Sequence, residues 1–164
     1  MIMWHPEESV EAAALQVLNI LFSVPQISVR LAEISPEHRQ MLKFWIGYWN
    51  EHKSILLDGD FRAVGPVLNY PMVTGRQDGK LIAAVYQDMF VPSGTEPLQA
   101  IDIVNGKPTA GVVVRMEQSL GKSEITIYDT LGKVVSRTKQ ALGVGAHAFD
   151  VPPSGLLQVK SLGR

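Results

Sequence analysis

A chain of 164 residues, 46% hydrophobic and 19% charged, holds enough apolar material for one buried core and does not have the composition of a disordered segment. Its 15 basic and 16 acidic side chains leave a net charge of −1 with no block of either sign, so the electrostatic footprint of a nucleic-acid or acidic-lipid binder is missing. Cysteine is absent, which excludes disulfides and thiolate metal sites.

In chain order, MIMWHPEES lacks the basic stretch and small-residue cleavage site of a secretion signal. Pro6, Glu7 and Glu8 suit the first turn of a helix, because proline has no N–H to leave unpaired and acids favour the positive end of the dipole. Ala14, Val17, Leu18 and Leu21 then recur at helical spacing, which predicts an amphipathic helix ending before Pro25. The longest apolar run, residues 12–24, is broken by Gln16, Asn19 and Ser23 and falls short of the ~20 apolar residues of a membrane span. The expectation is a soluble chain with neither signal nor membrane segment, its compartment left open.

PQISVRLAEI is short, β-branched and alternating, with Ile27, Val29 and Leu31 on one side, and it predicts a strand. Ser35 and Pro36 then read as the N-cap and first residue of a second helix carrying Met41, Leu42, Trp45, Tyr48 and Trp49 to about residue 53. Helix, strand, helix leaves the lone strand without a partner, and unpaired backbone groups are costly when buried. The front of the chain therefore reads as cut from something larger.

Beyond residue 58 the pattern changes. KLIAAVYQ, LQAIDIV, AGVVVRME, EITIYD, KVVSRTK, HAFDV and LLQVKSL are short runs rich in Val and Ile, separated by turn chemistry such as RQDGK, NGKP and PPSG. They predict an antiparallel β-sandwich, with ITIYDTLGKVV as its clearest hairpin and Asp129 to Gly132 as the turn. The expected fold class is α+β: N-terminal helices in residues 1–57, then an antiparallel β-sandwich in residues 58–164.

Catalytic signatures are sparse. His5, His38, His52 and His147 do not fall at metal-ligand spacing and read as surface or helix-end residues. No nucleophile elbow, phosphate loop or dinucleotide fingerprint occurs, and GVGAH, lying between two strand-like runs, reads as a hairpin connection. Asp58 and Asp60 are two carboxylates in one turn, but glycoside hydrolysis needs them about 5–9.5 Å apart across a bond. The residues suit a turn closing the helix, with Gly59 supplying left-handed geometry. DGDFRAVGPVLN also lacks the closing Glu and central Gly of a calcium loop. No metal or cofactor is expected. The aromatic helix has two readings, an exposed platform for a sugar or a packing element, and helical spacing favours packing against both the front unit and the sandwich.

WHPEESVEAAALQVLNILFSVPQISVRL, EHRQMLKFWIGYWNEHKSILLDGDF, NYPMV and the late ITIYDTLGKVV…VPPSGLLQVK, in this order, resemble the C-terminal part of bacterial α-galactosidase-like enzymes, glycoside hydrolase family 36 of the melibiase clan. The resemblance implies a (β/α)8 catalytic barrel followed by a β-sandwich. Residues 27–31 would be the eighth barrel strand, residues 36–53 the last barrel helix, and the partner of this chain the rest of the barrel. Such enzymes use two aspartates on earlier barrel strands, which have no counterpart here, so the chain alone is expected to be inactive. Trp4 and His5, in MWHP, would follow the seventh barrel strand and could line the sugar pocket of a complete enzyme, where such barrels place their sites; otherwise they only cap a helix. Self-association through an uncovered helical face is a further expectation.

ITIYDTLGKVVSRTK also resembles the C-terminal secretion-sorting domains of some Bacteroidetes, over about the last 40 residues only. The alternative reading is a free-standing carbohydrate-binding or cell-surface interaction module gripping ligand with Trp45, Tyr48 and Trp49, or with sandwich residues such as Tyr70 and Tyr86.

Overall fold

The computed structural model describes residues 2–163. Two helices come first, α1 (Val10–Leu18) and α2 (Pro36–Asp58), followed by ten strands: β1 (Asp60–Val64), β2 (Met72–Gln77), β3 (Lys80–Val85), β4 (Phe90–Pro92), β5 (Ala100–Asn105), β6 (Val112–Met116), β7 (Gly121–Tyr128), β8 (Val134–Leu142), β9 (Gly145–Phe149) and β10 (Leu156–Ser161). The fold is α+β with a sandwich-like β region. All seven runs beyond residue 58 read as strands from the sequence are strands; β1, β2 and β4 are additional.

Helix starts follow the capping chemistry. Ser35 Oγ accepts from His38 N at 3.1 Å with Pro36 in the first helical position, as expected. α1, however, begins at Val10 rather than at Pro6. Ser9 takes the cap, accepting from Ala12 N, while Glu7 N is held by His5 Nδ1 in the turn before it. Gly59, expected in a left-handed cap, has φ −70° and ψ 172°. Glycine fits there because a Cβ would lie 2.5 Å from Ile55 O and 3.0 Å from Arg76 O, where α2 turns into β1 against β2.

The strands form a seven-stranded sheet in the order β1-β2-β3-β5-β10-β7-β8 and a three-stranded sheet in the order β4-β6-β9. The sequence-based expectation of a purely antiparallel sandwich is corrected at two pairings: β3 with β5, and β4 with β6, run parallel. The chain leaves the large sheet after β3, contributes β4 to the small one, and returns to enter beside β3 in the same direction. GVGAH is likewise not a hairpin connection, because β8 and β9 belong to different sheets.

Alternation along the central strands explains the layers. Ile82 and Ala84 of β3, Val104 of β5 and Leu156 of β10 face the helices and join a core with Trp45, Met41, Leu18 and Val17. Their neighbours Leu81, Ala83, Ile101, Ile103, Leu157 and Val159 face the small sheet and pack on Val91, Val112, Val114 and Met116. With both faces covered, the large sheet carries near-continuous apolar runs. The result is three layers: helices, large sheet, small sheet.

The strand expected at residues 27–31 is reduced to a single parallel bridge between Ile27 and Ile2, with Ile2 N donating to Gln26 O at 2.6 Å and Ser28 N to Ile2 O at 2.9 Å. One neighbour supplies only these bonds, so the ladder stops at once and the chain turns toward Ser35. Among the described residues, no helix is long and apolar enough to cross a membrane.

Candidate functional site

The opening aromatics of α2 are packing residues. Trp45 is fully buried and Tyr48 nearly so, with Trp45 edge-on to Phe44 at 4.9 Å and to Tyr48 at 5.8 Å. Trp49 is half-buried and donates its indole N–H to Ser23 O. This corrects the reading of Trp45 and Tyr48 as a ligand platform: their faces are spent on the core. His38 lies in the first turn of α2, in keeping with the helix-end expectation, but both it and His52 are buried.

The densest polar cluster lies where α2 meets the large sheet. Asp102 is a helix-facing residue of β5, two positions before Val104, in register with Ile82 of β3 and Gln158 of β10. Buried to 1% exposure, one of its oxygens, Oδ2, accepts from Tyr48 Oη at 2.9 Å, Lys80 Nζ at 2.8 Å and Gln158 Nε2 at 3.1 Å. His52 stacks on Tyr48 at 4.3 Å, one helical turn further along α2. Its Nδ1 lies 2.9 Å from Tyr48 O and its Nε2 2.6 Å from Lys80 Nζ. Since the ammonium can only donate, His52 Nε2 is the acceptor and Nδ1 carries the proton, which fixes the neutral tautomer. Burial, then the negative charge of Asp102, pushes the Tyr48 phenol well above its usual range. The cluster is closed to solvent except along Lys80 and Gln158. It ties helix to sheet and leaves no space for a substrate against Asp102.

An open site lies elsewhere. A cleft of about 730 Å³ runs between the end of α1 and the β1–β2 corner, lined by Asn19, Phe22, Phe61, Asn69, Tyr70 and Tyr86 among others. Tyr86 donates its hydroxyl to Leu18 O at 2.8 Å, and burial raises its phenol to about 12. Before β2, a short 3₁₀ turn (Pro66–Leu68) is followed by Asn69 and Tyr70, both in left-handed backbone with φ 56° and 54°. Leu68 N and Tyr70 N both donate to Gly65 O, which pins the loop. Left-handed geometry is tolerated by Asn but is an outlier for a bulky Tyr, at a cost on the order of 1–3 kcal/mol.

Trp4 is buried against His38, ring centroids 5.5 Å apart, and its indole N–H and His38 Nε2 find no partner among the described residues. His5 is exposed and serves only the turn before α1. The two sequence neighbours thus point into different surroundings. Asp58 ends α2, and Asp60 opens β1 and pairs with Arg62 at 3.0 Å, so no catalytic carboxylate pair forms. No cluster of three or more His, Asp or Glu capable of holding a metal occurs among the described residues.

Sequence reasoning named Tyr70 and Tyr86 together but missed Phe61, Asn19 and Asn69 beside them. It also missed Asp102, whose signal was a charged residue inside the apolar run AIDIV. Comparison with protein-family models, curated proteins and solved structures finds no match for this chain.

Proposed function

We propose that this chain is the C-terminal, non-catalytic part of an α-galactosidase-like glycoside hydrolase, whose (β/α)8 barrel is its partner and whose complete form hydrolyses α-galactosides. The observation that carries this reading is the parallel bridge between Ile2 and Ile27 on either side of α1. Two parallel segments joined through a helix are the repeating unit of such a barrel, in which each strand is flanked by two others. Here the pair has no further neighbours among the described residues, and the apolar side chains of Met3, Val24 and Leu31 around it are 57–67% exposed. The unpartnered Trp4 indole beside them fits the same reading, since a buried donor without an acceptor is costly.

The sandwich would brace the last barrel helix through the three-layer core, and the chain alone would not turn over substrate. In isolation, the exposed apolar patch favours self-association. The test is twofold. The DNA preceding the Met1 codon should continue in frame into a barrel bearing two catalytic aspartates, and the purified chain should leave p-nitrophenyl α-galactoside intact. Turnover of that substrate by this chain alone, abolished by substitution of its own residues, overturns the assignment.

A further inference from the structure

We propose that the cleft between α1 and the β1–β2 corner binds a neutral saccharide, with one pyranose ring stacked on Tyr70. The inference goes beyond the preceding reading and does not depend on it, because every residue of the cleft belongs to the described chain.

Three observations define the ligand. First, no charged side chain lines the cleft. A phosphate or carboxylate would enter without a counter-ion, and burying an unpaired charge is costly. Second, the walls combine aromatic faces with amides. Phe61 and Tyr70 are 54% and 48% exposed, Phe22 meets Phe61 edge-on at 5.8 Å, and Asn19, Asn69 and Ser23 supply donors and acceptors beside them. A purely apolar guest would strip water from the amides without replacing it. A sugar ring has an apolar C–H face for the aromatic and hydroxyls for the amides, matching a small-molecule site of this size and mixed lining.

Third, Tyr70 sits in a strained left-handed backbone although its ring is half exposed and contributes little to the core. Strain at a bulky residue is typical of ligand clamps, where the surrounding fold holds a side chain in place for a partner. The double donation to Gly65 O is the device that holds it.

The test uses the full chain and saturation-transfer NMR with calorimetric titration. Melibiose, raffinose, maltotriose and cellotriose are the neutral probes, hexagalacturonate the charged one, and 1-aminoanthracene the apolar one. At least one neutral saccharide should bind with transfer to its ring C–H protons. Tyr70→Ala should weaken that binding by about tenfold, the effect of losing one aromatic face. Phe90→Ala, exposed on the small sheet, should leave it unchanged. Asn19→Ala, at the exposed end of α1, serves as a second variant should Tyr70→Ala lower the melting temperature. Failure of all four neutral probes to bind, equal binding by both cleft variants, or binding of the anthracene or galacturonate alone overturns the proposal.

Discussion

Replacing Asp102 with Ala removes the acceptor shared by three donors, and the size of the effect follows from where each donor is left. The Tyr48 hydroxyl, 2.9 Å away on a side chain that is only 5% exposed, would have no other acceptor and no water, a cost of about 1–3 kcal/mol. Lys80 would lose its only carboxylate partner among the described residues, and breaking a buried ion pair from one side costs about 3–5 kcal/mol. Its side chain is 20% exposed and can turn its ammonium partly to water, which cuts that share to about 1–2 kcal/mol and brings the total to about 3 kcal/mol. For a chain of this size, that lowers the melting temperature by about 6–12 °C. Thermal unfolding followed by circular dichroism at neutral pH measures it. Tyr48→Phe, which leaves Asp102 two donors, should cost only about 1 kcal/mol, and the double variant should cost less than the sum, as expected for partners in one network. An Asp102→Ala protein melting within about 2 °C of the parent would refute the view that this cluster fastens helix to sheet.

Alkaline pH acts on the same region. Tyr48 and Tyr86 both ionise less readily when folded, so their contribution is fully present below the unfolded tyrosine value of about 10 and is lost as pH rises above it, for Tyr86 over the window from 10 to about 12. Denaturant titrations between pH 10 and 12 should show stability falling by up to about 1.4 kcal/mol per pH unit for each tyrosine, with little change from pH 9 to 10, and Tyr86→Phe should remove one of the two contributions. Trp45→Ala empties the centre of the helix-facing core and should cost about 3–5 kcal/mol in chemical denaturation. Gly132→Ala should destabilise by several times the usual surface substitution. Gly132 has φ +79° in the Asp129 turn, and an added Cβ would run into the Phe44 ring.

Much of this fold was readable because the signals are local. Ser35-Pro36, the Val- and Ile-rich runs and the Asp129 turn carry their own chemistry, and the last is closed by Asp129 Oδ1 accepting from Leu131 N and Lys133 N. What failed depends on distant neighbours. Residues 27–31 alternate like a strand, yet strandhood needs a ladder, and among the described residues only Ile2 is there to provide it. The parallel pairings arise from β4 crossing to the other sheet, which no short window can register. Asp102 was missed because its partner Tyr48 lies 54 positions earlier in the chain. The cleft is likewise assembled from the end of α1, from β1 and from the loop after it. Tyr70 and Tyr86 could be named from the sequence, but Phe61 and the two asparagines could not be placed beside them.

The last strand sits deep inside the large sheet, hydrogen-bonded to β5 on one side and β7 on the other. The β1-β2-β3-β5 half and the β7-β8 hairpin are therefore joined within the sheet through Leu156–Ser161. Loss of this strand would cut the sheet down its middle and uncover Ile101, Ile103 and Ile125, which are buried beside it. The continuity of the large sheet thus rests on a single six-residue segment that touches both of its halves.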